Sequence, residues 1–204
     1  GLAGCNLDCS FCQNWHLSTD KALRSLREPV TPASIAKAAR AAGAASVSFT
    51  YNEPIIAAEL VLETSAACRG AGLPVIAVTN GFIDGKARED FFSSLDAANV
   101  DLKAFDDGFY REQCGGRLEP VLGTLRHIAR NTRCHLEVTT LLIPGKNDGD
   151  DALRAQARWM KNELGPAVPL HLSAFHPDHR LTAVGPTPAA TLPRARGLAL
   201  AQGL

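Results

Sequence analysis

Gly4-Cys5-Asn6-Leu7-Asp8-Cys9-Ser10-Phe11-Cys12-Gln13-Asn14-Trp15 sets three cysteines within eight residues, separated by three residues and then by two. Three thiolates can hold three irons of a [4Fe–4S] cluster and leave the fourth iron open to chelate a small molecule. Structural zinc is the alternative, but such sites usually take four protein ligands, often as two close pairs. No fourth cysteine lies within thirty residues of this run, and His16 is the only nearby imidazole. An electron-transfer cluster would also need a fourth thiolate. Disulfides do not suit this spacing. Six cysteines, three of them in one motif, point to a reducing cytoplasm.

Outward from this segment, short apolar strands alternate with amphipathic helices. Residues 47–51, 74–79, 100–104, 135–143 and 170–175 read as strands, and the residues before Cys5 as the end of a first one. Thr31-Pro32 is a helix cap and first turn, with Gly43 as the stop. Pro54 opens a helix that runs past Cys68, and Thr187-Pro188 opens the last one. Further helices are predicted over 86–95, 118–129 and 150–164. Strand-helix-strand repeats imply parallel strands with right-handed crossovers. With the partial first strand the count is six, which suits an α/β fold of the partial (β/α)6 TIM-like barrel type. A doubly wound sheet is the runner-up. In both, ligands bind at the carboxyl ends of the strands.

At 204 residues and 46% apolar content, the chain can bury the core of one domain, taken as 1–204. Its 21 basic and 21 acidic residues cancel, which speaks against bulk attraction to nucleic acid or anionic membranes. No apolar stretch is long enough to cross a bilayer. The chain opens on Gly1 and stops at Leu204 just after a helix, so it reads as a core cut at both ends.

Polar residues gather at the predicted strand ends. Glu53 stands at a helix start, where a carboxylate is also an ordinary cap. Asn80-Gly81 is a turn. Asp101 and Lys103 are two apart and share one strand face. They form either a buried ion pair, costly in desolvation, or a pair of charges split between two ends of a ligand. His176 follows the last strand, with His179 as a loop residue. One of Thr139 and Thr140 must point inward. Cys68 and Cys134 read as core. Cys114 lies in a loop that overhangs the mouth, where a substrate-side role is one option.

The cysteine spacing, with Phe11 before the third cysteine, resembles the signature of the radical S-adenosylmethionine (SAM) enzymes. Further runs narrow the likeness: Ser48-Phe49-Thr50-Tyr51-Asn52-Glu53-Pro54, Val78-Thr79-Asn80-Gly81-Phe82, Asp101-Leu102-Lys103-Ala104-Phe105, Leu118-Glu119-Pro120-Val121-Leu122 and Leu142-Ile143-Pro144-Gly145-Lys146-Asn147-Asp148. They resemble the radical SAM proteins of the AmmeMemoRadiSam system, relatives of pyruvate formate-lyase activating enzyme, over nearly the whole chain.

The resemblance implies a [4Fe–4S] cluster on Cys5, Cys9 and Cys12, and SAM as second cofactor. It implies SAM contacts from Glu53, Thr79, Asn80, Asp101, Lys103 and His176, with Phe11 packed on the adenine. Tyr51-Asn52 stands where the superfamily has two glycines, and Val78 where activases carry an Asp. A flavodoxin or ferredoxin reductant is implied as partner. The expected activity is reductive cleavage of SAM to a 5′-deoxyadenosyl radical that abstracts hydrogen from a substrate. That substrate stays open, a partner protein among the candidates. The rivals are a glycyl-radical-enzyme activase, a small-molecule or RNA-modifying enzyme, and a zinc-stabilised module without catalysis.

Overall fold

The strands owe their order to alternation. Val75, Ala77 and Thr79 are buried, while Ile76 and Val78 are half-buried on the other face. In the computed structural model, which describes residues 3–19 and 30–204, five strands form one sheet. They are β1 (Val47–Phe49), β2 (Val75–Thr79), β3 (Ala97–Asp101), β4 (His135–Leu142) and β5 (Leu170–Ala174). They lie side by side in chain order, and every neighbouring pair is parallel. A doubly wound sheet would reverse direction at a switch point. No reversal occurs, and the arrangement is that of a partial barrel.

Helices join the strands. α1 (Trp15–Ser18) follows the cysteine segment, and α2 (Pro32–Ala41) precedes β1. The Thr31 hydroxyl accepts from Ser34 N–H and the Ser34 hydroxyl from Thr31 N–H, a reciprocal cap with Pro32 in the first turn. A 3-10 turn (Pro54–Ala57) leads into α3 (Ala58–Gly70). α4 (Gly85–Ser93) joins β2 to β3. α5 (Asp107–Phe109) and a π-helical turn (Tyr110–Cys114) lead to α6 (Leu118–Asn131). α7 (Asp150–Glu163) and α8 (Thr191–Gln202) complete the layer. Along α6, Val121, Leu122, Leu125 and Ile128 are buried, the three-and-four spacing of a face turned to a core. Burying each such side chain contributes about 1.5–3 kcal/mol.

Three expectations shift. Ala3 and Gly4 are not in a strand, and Gly1 and Leu2 lie outside the described residues, so five strands stand where six were counted. β3 covers Ala97–Asp101 instead of 100–104. The reason is that Lys103 N–H leaves the ladder to donate to the Tyr110 hydroxyl at 3.0 Å. α8 begins at Thr191 and not at Thr187. Thr187 extends the edge of the sheet instead: its hydroxyl donates to the Leu142 carbonyl at 2.6 Å and accepts from Phe175 N–H at 2.8 Å.

Candidate active site

The cysteine segment is pinned by its apolar residues. Leu7 and Phe11 are buried. Leu7 packs so tightly on Gly116 that a Cβ there would lie 2.5 Å from Leu7 Cδ2. Phe11 meets Phe109 with ring centroids 5.7 Å apart. With 7 and 11 turned into the core, Cys5, Cys9 and Cys12 stay half-buried and unbridged. All three line one cavity of about 400 Å³ at the carboxyl ends of the strands.

Glu53 holds the floor beside Cys5. It is 4% exposed. Its Oε1 accepts from the Thr79 hydroxyl at 2.5 Å and from Ile55 N–H at 3.0 Å, and Oε2 accepts from Asn80 N–H at 2.8 Å. Burial nevertheless pushes its pKa up to about 7, against those donors. Asn80 then reaches the cysteine segment, donating from Nδ2 to Asn6 Oδ1 at 2.8 Å and to Cys5 Sγ at 3.5 Å. Gly81 permits the approach: its φ is 65°, and a Cβ would lie 2.8 Å from Val100 Cγ1.

Asp101 and Lys103 form the charged wall, joined by an ion pair of 3.0 Å. Burial works against the Lys103 ammonium, but Asp101 and the nearby thiols outweigh it and keep Lys103 well above its ordinary pKa. Lys103 Nζ sits 6.0 Å from the Phe11 ring centroid. Thr139 pairs with Asp101 in the β3–β4 register and lines the cavity. Thr140 faces the helices, donating to the Leu102 carbonyl at 2.8 Å.

The three thiols differ. Burial, chiefly, pushes Cys5 up to about 11. Cys9 is held below its ordinary value by a hydrogen bond from the Cys114 thiol, against burial and with help from Lys103. Cys114 itself is pushed up as the donor of that bond and by burial. It is fully buried beneath the cysteine segment and does not line the cavity.

Among the described residues, no three His, Cys, Asp or Glu side chains converge on a single-ion site. Three thiols around a roomy cavity, with Lys103 to offset their charge, fit a multi-iron cluster.

Most of the expected residues come together here: Cys5, Cys9, Phe11, Cys12, Glu53, Thr79, Asn80, Asp101 and Lys103 all line the cavity. His176 does not. It is exposed, because the neighbouring Phe175 takes the buried position. Ser173, which pairs in register with Leu141, lines the cavity and was missed by the sequence reading. The β4–β5 register, which no local pattern displays, sets it beside Leu141. Tyr51, on the cavity lip, has φ of 74° in the region glycine prefers and is 69% exposed.

Residues 2–156 match the radical SAM superfamily. The chain belongs to that superfamily. It is 38% identical over 203 residues to the uncharacterized protein MJ0808 of Methanocaldococcus jannaschii, and spans 60% of that protein's length. It is 22% identical over 214 residues to pyruvate formate-lyase 1-activating enzyme of Escherichia coli K12, covering 96% of this chain and 85% of that one. Among solved structures, Streptococcus suis SuiB bound to S-adenosylmethionine shares the fold, with a TM-score of 0.73 and 16% identity. That likeness covers 96% of this chain and 44% of SuiB. SuiB bound to its precursor peptide SuiA gives a TM-score of 0.72 at 15% identity, over 96% and 43%. Membership in the superfamily carries with it an iron–sulfur cluster and SAM. Among the described residues, no helix is long and apolar enough to cross a membrane.

Proposed function

We propose that Cys5, Cys9 and Cys12 ligate a [4Fe–4S] cluster with one open iron, and that the same cavity binds SAM. The observation that carries this reading is the convergence of three unbridged thiols with the Asp101–Lys103 pair on one cavity. When bound, the cluster and SAM supply one-electron cleavage of SAM to methionine and a 5′-deoxyadenosyl radical that abstracts hydrogen from substrate.

The chain's own groups prepare that chemistry. Lys103 would offer its ammonium to the SAM carboxylate, and Asp101 its carboxylate to the amino group. Phe11 offers an apolar face for the adenine. Glu53, Thr79 and Asn80 act mainly as a frame: their donors and acceptors are spent on one another and on the cysteine segment. Enclosure by the strand ends orients the reactants and limits water. In this reading, residues 1–204 are one core domain working in the cytoplasm with a flavodoxin- or ferredoxin-type reductant.

A protein or peptide substrate is the favoured class. Trp15, Tyr51 and Ile56 are exposed apolar side chains, and Trp15 and Tyr51 flank the cysteine segment and the cavity lip. SuiB's complex with a peptide and the likeness to an activating enzyme support the same class. A glycyl-radical activase is the form of it that the second likeness favours.

Anaerobic reconstitution with iron and sulfide, then dithionite and SAM, tests the reading. Cys9→Ala should abolish 5′-deoxyadenosine formation with the fold retained. Unchanged formation in that variant refutes the assignment. Lys103→Ala should weaken SAM binding more than cluster loading; an equal loss of both would make the ion pair structural. Zinc without labile sulfide in the wild-type protein would favour the non-catalytic module.

A further inference from the structure

Cys9 lies between two residues whose main-chain groups are all engaged. Asp8 N–H donates to the Cys114 carbonyl at 2.9 Å, and Ser10 N–H to the Gln113 carbonyl at 2.8 Å. From the other side, the Asp8 carbonyl accepts from Arg180 Nη2 at 2.6 Å. The Ser10 carbonyl accepts from the Arg180 main-chain N–H at 3.0 Å. The guanidinium also spans the Asp8 carboxylate, with Nη1 at 2.9 Å from Oδ2 and Nη2 at 2.9 Å from Oδ1. One arginine from the loop after β5 thus takes both carbonyls that flank the middle cysteine.

The residues before it add a second hold. Trp15 Nε1 donates to Asp178 Oδ1 at 3.2 Å. The Trp15 and His179 rings stack 5.5 Å apart at 13°. His179 accepts a φ of 49° to do so, a conformation that costs a non-glycine residue energy. Residues 178–180 therefore grip the cysteine segment at its middle and at its end.

Stability does not account for this contact. The side chains of Arg180 and Asp8 are 49% and 62% exposed, and exposed ion pairs contribute little to folding. What the fork supplies is geometry and charge. The guanidinium's contact with the Asp8 carbonyl sets its charge one residue from Cys9. Cluster potentials respond to net charge and to the surroundings of the sulfurs.

We propose that Arg180 is a positioning residue for the cluster site, fixing the backbone on both sides of Cys9 and setting a positive charge next to it. This rests on the reading of Cys9 as a cluster ligand. It assigns to the loop after β5 the task of holding a segment at the opposite end of the chain.

The test uses the 204-residue chain and its Arg180→Ala and Arg180→Lys variants. In cluster-free protein, iodoacetamide labelling at one fixed pH, read peptide by peptide, reports how firmly Cys9 is held. Both variants should label Cys9 several-fold faster than wild type, since an ammonium cannot span the carbonyl and the carboxylate together. Buried Cys134 serves as the unchanged reference. In reconstituted protein, Arg180→Ala should move the cluster midpoint to a more negative potential, because a lost positive charge disfavours the added electron. Arg180→Lys should restore the wild-type potential. The melting temperature should move little in either variant. A wild-type Cys9 labelling rate in both variants, or an unmoved potential in Arg180→Ala, overturns the proposal. Labelling needs no cluster, so it decides the positioning even where wild-type protein takes up no iron and sulfide, a result that would defeat the cluster reading instead.

Discussion

Replacing Thr79 by valine removes one hydroxyl from a nearly solvent-free carboxylate, and its cost can be worked from the structure. The hydroxyl donates to Glu53 Oε1 at 2.5 Å and accepts from Gly81 N–H at 3.2 Å. Thr79 is 2% exposed, so water cannot take its place. Above pH 7 Glu53 is ionised, since its pKa stands at about 7. A hydrogen bond to a charged group contributes about 1.5–3 kcal/mol, and the orphaned Gly81 donor adds about 1 kcal/mol or more. The expected loss at pH 8 is therefore about 2.5–4 kcal/mol. At pH 5.5 Glu53 is protonated in the fold, the lost bond is neutral, and its share falls to about 1 kcal/mol. The sign follows from linkage. Glu53 has a folded pKa above its unfolded one, so the native state binds the extra proton and wild-type stability itself falls as pH rises from about 4.5 to about 7. Thr79→Val steepens that fall by taking a donor from the charged form. Urea unfolding of the cluster-free chain at pH 5.5 and pH 8 measures both effects, with Thr79→Ser as the control that keeps the hydroxyl. A loss below about 1 kcal/mol at pH 8, or equal losses at the two pH values, would refute the account of Glu53 as an ionised carboxylate sustained by three donors.

Three further outcomes follow from the same geometry. Asn147 is 7% exposed, accepts from Ile143 N–H at 2.6 Å, and donates to the Lys103 and Leu141 carbonyls at 2.7 and 2.8 Å. Asn147→Ala should cost about 2–4 kcal/mol in urea unfolding by stranding buried main-chain groups, and a cost near zero would show them hydrated. Tyr51 holds φ of 74°, so Tyr51→Gly should keep or raise stability while Tyr51→Val lowers it by about 1–2 kcal/mol; thermal melts of the two variants should fall in that order. In cluster-free protein Cys9 should become reactive to alkylation at a lower pH than Cys5, which should stay slow until about pH 11, because the thiolate is the nucleophile. Mass spectrometry of the alkylated peptides across that range reads both profiles, and coincident profiles would remove the Cys114 donor from the argument.

What the sequence displays well is what is local. The alternation of β2 and β4, the Thr31-Pro32 cap and the Glu53 turn each depend on neighbours a few residues away, and each stands where the pattern puts it. The departures arise where a distant partner outbids the local signal. Thr187-Pro188 has the form of a helix start, yet the Thr187 hydroxyl is claimed by Leu142, 45 residues earlier. Leu102-Lys103-Ala104 has the apolar content of a strand, yet the Tyr110 hydroxyl ends the ladder there, and the weaker formers Ala97, Ala98 and Asn99 are drawn into register by β4. His176 is a polar residue at a strand end, as a ligand contact should be, but adjacent side chains on an extended chain point opposite ways and Phe175 already takes the core. The same logic locates what was invisible. Ser10 meets Gln113 across 103 residues and Asp8 meets Arg180 across 172. No periodicity or motif joins such pairs; only the folded sheet brings the loops after β3 and β5 onto one strip of backbone. The cysteine spacing carries the resemblance, but whether three thiols hold their relative positions is decided by residues that a one-dimensional reading has no reason to pair.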